Sequence, residues 1–345
     1  AEVVLDPRTG AVLSMYSNPN FDPAPLESNS YAVAAAAWKR DTTPNVHGFE
    51  PLANLATQAR FFPGSSFKVI TTAAVVVGKP ALWFKQYPEL VTTKLPDTDK
   101  TLSNFGFGRC GGDIPEMLPP SCDTGFALVG LDVGAPLLAA TAMAFGFDKV
   151  PPLDLPGVQP ANFPPASSFT YNLPGLAYSA IGQEDVQETA LQNALVAATI
   201  ANGGVQMAPH VLNYVTAPDG TIVKRYAPHP YLTPLTPAED ARIVPLMQQV
   251  VTSGTAYGLF PSWLDAAAKT GTAQIGNKAQ QLDDWLIAFA PATNPTIAVA
   301  VVMPYQPVST EGATVAGPIV ACLAEGAYAV QHHQRATNTP TTCKG

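Results

Sequence analysis

The β-rich segments of this chain lie at its two ends, and this separation constrains the fold more than any other feature. The N-terminal stretch AEVVLDPRTGAVLSMYS alternates around a turn at Asp6–Gly10 and predicts a β-hairpin. Near the other end, three short β-rich runs at 266–274, 284–292 and 296–303 predict an antiparallel meander. Hairpin and meander together give about five strands, so the chain between them must leave a sheet and return.

The segment between these strands is mainly helical. Apolar spacing predicts helices at 65–78, 122–147 and 188–202, and a further helix at 316–331 that covers one face of the sheet. We therefore predict an α+β fold, in which a five-stranded antiparallel sheet is flanked by helices and joined to a mainly helical subdomain.

Composition limits the classes of function. Charged residues make up 13% of the chain and the formal net charge is −8, so an electrostatic interaction with nucleic acid or an anionic membrane surface is not expected. The chain begins inside a predicted strand, from which we expect that a membrane anchor or a further domain precedes Ala1.

The cysteines fall into two groups that are local in sequence. This grouping is typical of exported domains and predicts the disulfides Cys110–Cys122 and Cys322–Cys343, although connectivity is not fixed by sequence. There is no Cys-x-x-Cys pair, and the histidines show no ligand spacing such as His-Glu-x-x-His. No metal site is expected.

The apolar stretch RFFPGSSFKVITTAAVVV carries a hydroxyl and an amine, Ser65 and Lys68, at its start. One interpretation is structural, since a serine after Pro-Gly often caps a helix and a lysine one turn later is often solvated. The other is a Ser-x-x-Lys nucleophile pair, because residues three apart share a helix face and the amine can take the hydroxyl proton. No other lysine in the chain has a serine three residues before it.

Two later stretches of the sequence can likewise be interpreted either as structural features or as parts of a site. Ser121 and Asp123 lie where PPSCDTGFALVG turns from loop into helix, so either could be a cap. The run KTGT, Lys269–Thr272, falls on a predicted strand, where Gly271 either marks a bulge or lets another backbone, such as that of a substrate, approach closely.

The three signals occur in the order Ser-x-x-Lys, a variant of Ser-x-Asn, and Lys-Thr-Gly. This is the motif set of the penicillin-recognising serine acyltransferases, and the sequence resembles that superfamily. The stretch PGSSFKVIT resembles the class B penicillin-binding proteins and their transpeptidase domain. Further stretches with the same resemblance are VVLDPRTGAVLSMYSNPNFDP, SCDTGFALVG, AIGQEDV, NALVAATIANGG, AKTGTAQ and DWLIAFAPA. The resemblance covers about residues 2 to 330 and is strongest to actinobacterial members.

The resemblance implies one transpeptidase domain over residues 1–345. Its sheet subdomain would comprise about 1–60 and 205–335, and its helical subdomain about 61–204. The implied substrate is a peptidoglycan stem peptide ending in D-Ala-D-Ala, and β-lactams would be covalent inhibitors. No cofactor is implied. The parent protein would be anchored in the membrane, act on its extracytoplasmic face and have a membrane glycosyltransferase as partner.

The resemblance also assigns roles to residues. Ser65 would be the nucleophile, Lys68 the general base and Ser121 the proton relay between that amine and the leaving nitrogen. The oxyanion hole would be the backbone N–H groups of Ser65 and Thr272. The substrate's terminal carboxylate and backbone would bind to the KTGT strand, through Lys269, Thr270, Gly271 and Thr272.

Asp123 departs from the family pattern, which has asparagine at this position, and no Ser-x-Asn occurs anywhere in the chain. An ionised aspartate cannot donate a hydrogen bond to an acyl amide, and its charge favours the ammonium form of Lys68. We therefore predict slower acylation by β-lactams, and thus intrinsic resistance of the kind that a β-lactam producer needs for self-protection. The alternative is a protonated Asp123 that still donates.

Two other functions compete with transpeptidation. A β-lactamase or D,D-carboxypeptidase needs a positioned base for water, and the Glu-x-x-Asn motif of class A β-lactamases is absent between the second and third motifs. A non-catalytic β-lactam sensor or scaffold would keep the fold without turnover. A sensor would be acylated readily by drug, whereas a scaffold would not be acylated at all.

Overall fold

The computed structural model describes residues 1–276 and 280–331, so the predicted Cys322–Cys343 pairing includes a residue outside the described part of the chain. The strands are β1 (Glu2–Leu5), β2 (Val12–Tyr16), β3 (Tyr87–Leu90), β4 (Thr92–Lys94), β5 (Thr101–Ser103), β6 (Cys110–Gly112), β7 (Gln206–Met207), β8 (Tyr214–Thr216), β9 (Ile222–Arg225), β10 (Pro230–Leu232), β11 (Ala267–Gln274), β12 (Leu282–Ala290) and β13 (Ile297–Gln306). The helices are α1 (Tyr31–Asp41), α2 (Leu55–Gln58), α3 (Lys68–Gly78), α4 (Ile114–Met117), α5 (Asp123–Val133), α6 (Ala135–Ala144), α7 (Leu173–Ser179), α8 (Ala190–Ala201), α9 (Pro237–Thr252), α10 (Gly312–Val315) and α11 (Gly317–Gln331).

The central sheet has five strands in the order β11-β12-β13-β1-β2, and every neighbouring pair is antiparallel. The N-terminal hairpin joins the C-terminal meander through β1 and β13, with Val3 opposite Ala300. The predicted α+β fold with a five-stranded antiparallel sheet is therefore confirmed, including the pairing of its two distant ends. β11 lies at one edge of this sheet.

Both faces of the sheet are covered by helices. Val3 and Leu5 point into a core shared with α8, whereas Val4 points into a second core shared with α11. Successive strand residues therefore alternate between two apolar environments. This explains why β12 after Asp284 and the first part of β13 read as continuous apolar runs rather than as an alternation with polar residues.

The predicted helix at 122–147 is not continuous. It divides at Gly134, whose φ of 82° lies in the left-handed region, and α5 and α6 are bent by 100° at this point. Glycine adopts this conformation without a Cβ clash, so one glycine ends one helix and starts the next within an unbroken apolar stretch. The helices predicted at 65–78, 188–202 and 316–331 are present as a 3₁₀ turn (Gly64–Phe67) followed by α3, as α8 and as α11.

Within the described residues, no single helix has the length and hydropathy that a membrane span needs. Only the bent pair α5 and α6 satisfies both criteria together.

Candidate active site

Three elements meet at one cleft: the 3₁₀ turn before α3, the start of α5, and the edge strand β11. The turn packs directly on β11. A Cβ on Gly271 would lie 2.5 Å from the carbonyl oxygen of Pro63, and a Cβ on Gly64 would lie 2.8 Å from that of Thr272. Both glycines allow backbones to approach closely, which brings Ser65 alongside the KTGT strand. The backbone that approaches Gly271 closely is therefore that of the chain itself, at Pro63 and in the 3₁₀ turn that follows it.

The Ser65 hydroxyl and the Lys68 amine are in direct contact. Lys68 Nζ donates to Ser65 Oγ over 2.9 Å, and the Lys68 side chain is fully buried. Neither residue has the structural role considered from the sequence. Ser65 does not cap α3, whose N-cap is Phe67 and has no side-chain cap, and Lys68 is buried rather than solvated. Ser65 itself is only partly buried, so its hydroxyl remains accessible from the cleft.

Ser121 lies between the two buried lysines. Its Oγ accepts hydrogen bonds from Lys269 Nζ at 2.8 Å and from Lys68 Nζ at 3.3 Å, while its carbonyl oxygen accepts from Lys68 Nζ at 2.7 Å. Ser121 has a φ of 62°, which is unusual for a residue with a Cβ and costs free energy. That conformation directs the hydroxyl into the cleft, and the N-cap of α5 is Cys122 without a side-chain cap.

Asp123 accepts three hydrogen bonds. Its Oδ1 accepts from Lys68 Nζ at 2.6 Å and from Ser65 Oγ at 3.3 Å, and its Oδ2 accepts from the backbone N–H of Phe105 at 3.0 Å. Asp123 lies in the first turn of α5, where the helix dipole favours a negative charge. The Asp123 side chain thus contacts both the Ser65 hydroxyl and the Lys68 amine.

The pKa values of both lysines are lowered, chiefly by burial. For Lys68, burial lowers the pKa, and the charge and hydrogen bond of Asp123 oppose it without cancelling it. For Lys269, burial and the neighbouring Lys68 charge hold the pKa well below its usual range, again against Asp123. Two amines in one dry cluster cannot both remain charged without cost, which makes a neutral amine beside Ser65 accessible.

The remaining KTGT residues form the opposite wall of the cleft. Thr270 Oγ1 shares a 2.7 Å hydrogen bond with Thr255 Oγ1, and Thr272 Oγ1 accepts from the backbone N–H of Gly312 at 3.2 Å. Thr255 is a residue of the cleft that sequence reasoning missed, because it lies in an irregular segment after α9 with no periodic or motif signal.

The segment 104–108 forms a further wall that sequence reasoning also missed. Two cavities of about 250 and about 570 Å³ open on either side of Ser65, and both are lined by Ser65, Asn104, Phe105, Gly106, Asp123 and Thr272. Two residues after this segment, Cys110 forms a disulfide with Cys122, the residue before Asp123. The predicted Cys110–Cys122 bond is therefore present. No group of three or more metal-ligating side chains occurs in residues 1–276 and 280–331.

The family model for the penicillin binding protein transpeptidase domain matches residues 1–325. The chain belongs to this family. It is 36% identical over 333 residues to the peptidoglycan D,D-transpeptidase PbpA of Mycolicibacterium smegmatis, covering 92% of this chain and 64% of that protein. It is 34% identical to PbpA of Mycobacterium tuberculosis, covering 95% of this chain and 66% of that protein. The resemblance to actinobacterial penicillin-binding proteins is confirmed.

Solved structures of penicillin-binding proteins have the same fold. The ceftriaxone acyl-enzyme complex of penicillin-binding protein A from M. tuberculosis has a TM-score of 0.88 at 34% identity, covering 95% of this chain and 73% of that one. The transpeptidase domain of a peptidoglycan glycosyltransferase from Eggerthella lenta has a TM-score of 0.83 at 28% identity, with coverage of 96% and 78%. The chain spans a little under two thirds of the length of the curated PbpA relatives.

Proposed function

We propose that this chain is the catalytic domain of a D,D-transpeptidase that cross-links peptidoglycan through an acyl-enzyme on Ser65. The observation that carries the proposal is the continuous hydrogen-bonded array of Ser65, Lys68, Ser121 and Lys269 in one cleft beside an edge strand. A nucleophile in contact with a buried amine of lowered pKa is the arrangement that nucleophilic acyl transfer requires. The names of the PbpA relatives support the same reaction.

In this proposal the donor is a stem peptide that ends in D-Ala-D-Ala. Neutral Lys68 takes the Ser65 proton as Oγ attacks the penultimate carbonyl, and the backbone N–H groups of Ser65 and Thr272 stabilise the oxyanion. Ser121 carries the proton to the departing D-alanine nitrogen. An amine of a neighbouring stem then attacks the ester, its proton returns through Lys68, and Ser65 is regenerated as the new amide forms.

The KTGT strand binds the donor. Within the described residues, β11 is an edge strand of the central sheet, so an extended peptide can pair with it. Lys269, Thr270 and Thr272 hold the terminal carboxylate in this proposal. Penicillins present the same carboxylate and a reactive amide to Ser65, and the β-lactam acyl-enzyme complexes of penicillin-binding protein A support their role as covalent inhibitors.

The wider setting is proposed on the family alone. We place the domain on the extracytoplasmic face of the cell membrane, with a membrane glycosyltransferase as partner of the full-length protein. We also propose that it works as one catalytic domain, with a sheet subdomain at about 1–60 and 205–335 and a helical subdomain at about 61–204. The serine motif lies where the two would meet.

Asp123 supports a finer proposal about β-lactams. All three of its hydrogen bonds have Asp123 as acceptor, so the side chain presents no donor to an acyl amide in the cleft. We propose that this slows acylation by β-lactams and gives intrinsic resistance, which would suit self-protection in a producing bacterium.

The test of the proposed function separates transpeptidation from hydrolysis. The protein is incubated with a stem peptide ending in D-Ala-D-Ala, with and without glycine as acceptor amine, and both the released D-alanine and the new amide are quantified. We expect the amide product to increase with glycine at the expense of the hydrolysed acid. D-alanine release with only the acid as product would instead identify a carboxypeptidase, and no release would favour a sensor or scaffold.

The pH dependence of acylation provides a second prediction. We expect the acylation rate by benzylpenicillin to rise with pH as Lys68 loses its proton, with a midpoint below 10.5, the ordinary pKa of lysine. The Asp123 charge and hydrogen bond raise the pKa of Lys68, so Asp123→Asn should move the midpoint to lower pH. Rates of adduct formation between about pH 6 and about pH 10, measured by intact mass, give both midpoints.

Asp132→Asn is the matched control for this profile. Asp132 forms a 2.6 Å ion pair with Lys85 on the surface, so its substitution removes an Asp–Lys pair without touching the cleft. Its midpoint should equal that of the unsubstituted protein. An upward shift of the midpoint in Asp123→Asn, or an equal downward shift in Asp132→Asn, would contradict the assignment of the rise in rate to Lys68.

A further inference from the structure

The segment 104–108 is attached to the start of α5 by side-chain as well as backbone groups. The N–H of Phe105 donates to Asp123 Oδ2 at 3.0 Å, and the N–H of Thr124 donates to Asn104 Oδ1 at 2.8 Å. Asn104 Nδ2 also donates to the carbonyl oxygens of Leu90 and Gly108, both at 2.7 Å. The segment is therefore held at its start by two hydrogen bonds to consecutive residues of α5, and Asp123 provides one of them.

The contacts of Asp123 require a carboxylate rather than an amide. Lys68 and Ser65 both donate to Oδ1, and the Phe105 N–H donates to Oδ2, so each oxygen faces donors. An asparagine that kept its oxygen toward Lys68 would turn its NH2 group toward the Phe105 N–H, placing donor against donor. The reverse orientation would keep an acceptor for the Phe105 N–H but would remove the acceptor that serves both Lys68 and Ser65. Aspartate at this position thus suits the attachment of the segment as well as the reacting groups.

Phe105 lies where it can contact an acyl group bound to Ser65. It lines both cavities beside Ser65, and 44% of the residue is exposed in the absence of a substrate. The larger cavity extends past Phe105 along β11 and has a mixed lining, in which Leu102, Tyr178, Ile181 and Val308 are apolar or aromatic and Thr101, Ser103, Gln183 and Gln274 are polar. An exposed aromatic ring in this lining offers contact area to an apolar side chain.

We infer that Asp123 is a positioning residue for the segment 104–108, and that Phe105, held by it, is a specificity-determining contact for the acyl side chain of the donor or drug. The inference rests on the proposed acylation of Ser65. It gives the aspartate of the second motif a second role, in which the group that contacts Lys68 also sets the shape of the acyl-binding wall.

The test uses two penicillins that share a nucleus, a carboxylate and an acyl amide. Benzylpenicillin carries a phenylacetyl group, and 6-acetamidopenicillanic acid carries only acetyl, so the ratio of their acylation rates reports contact with the phenyl ring alone. Effects of Asp123 on Lys68 or on the amide act on both compounds and cancel in the ratio. Rates are measured by intact mass for the unsubstituted protein, Phe105→Ala, Asp123→Asn and the double variant.

We expect Phe105→Ala to lower the ratio about tenfold, which is the size of one aromatic contact. Asp123→Asn should lower it by a similar factor, and the double variant should show no further loss, because the two residues act through one contact. Asp113→Asn is the matched control. Asp113 caps α4 outside the cleft, and asparagine also caps, so its ratio should not change.

The ratio can overturn the inference in several ways. An unchanged ratio in Phe105→Ala would exclude Phe105 as a contact, and factors that multiply in the double variant would exclude a shared mechanism. Hydrogen exchange of the 104–108 amides gives a second readout that does not depend on activity. It should be faster in Asp123→Asn and unchanged in α8, and equal protection would overturn the positioning role. Absence of any adduct in the unsubstituted protein would refute the proposed function itself.

Discussion

Replacing Ser65 by alanine should abolish both the covalent adduct with benzylpenicillin and the release of D-alanine from a stem peptide. Ser65 Oγ is the hydroxyl in contact with the Lys68 amine at 2.9 Å, and removal of a nucleophile from such a unit lowers turnover by about 10⁴-fold or more. Intact mass after incubation with drug measures the first effect, and D-alanine quantification measures the second.

Ser66→Ala is the matched control, since it makes the same substitution one residue later. Ser66 Oγ donates to the carbonyl oxygen of Pro63 and accepts from Asn193 Nδ2, and the residue is 1% exposed. Its loss should lower the free energy of unfolding by about 1–3 kcal/mol and leave the adduct in place. A persistent adduct on the Ser65→Ala protein would refute Ser65 as the nucleophile.

The fold was predictable where the chain is periodic. The strands at the two ends, and the helix over 317–331, have apolar patterns that local geometry produces directly. The division between α5 and α6 was not predictable in the same way. Apolar spacing continues through Gly134, and only the left-handed conformation of that residue changes the direction of the helix.

The candidate site was predictable to the extent that its residues lie at the ends of regular elements. Ser65, Ser121 and Lys269 each belong to a short motif with fixed spacing, so their convergence follows once the motifs are ordered along the chain. Thr255 and Phe105 carry no such signal. Both reach the cleft through tertiary hydrogen bonds. Thr255 shares one with Thr270, 15 positions away in sequence, and Phe105 donates one to Asp123, 18 positions away.

The separate effects on the pKa of Lys68 were predictable from the sequence, but the effect that prevails was not. The sequence places an acidic residue in the second motif and an amine in the first, from which attraction and a raised lysine pKa follow. Burial acts in the opposite direction and outweighs it, and the degree of burial depends on residues from α5 and β11 that meet only in the folded chain.

Replacing Asp123 by asparagine should accelerate acylation by 6-acetamidopenicillanic acid, which lacks the phenyl ring expected to contact Phe105, by between about fivefold and about a hundredfold. The substitution supplies an amide donor that can face the drug's acyl amide, and it removes a negative charge from the cleft. The range corresponds to about 1–3 kcal/mol, the cost of one unmatched buried hydrogen-bonding group. Second-order rates of adduct formation at one pH, with Ser65→Ala as the blank, provide the measurement.

Asp123→Ala separates the two possible causes, because it removes the charge without adding a donor. Acceleration in the asparagine variant alone would assign resistance to the missing donor, whereas equal acceleration in both would assign it to the charge near Lys68 and Ser65. Both variants also change the hydrogen bond to the N–H of Phe105, and 6-acetamidopenicillanic acid is the probe because it has no phenyl ring to report that change. If neither variant reacts faster than the unsubstituted protein, Asp123 does not protect Ser65 from β-lactams, and the proposal of intrinsic resistance fails while that of transpeptidation stands.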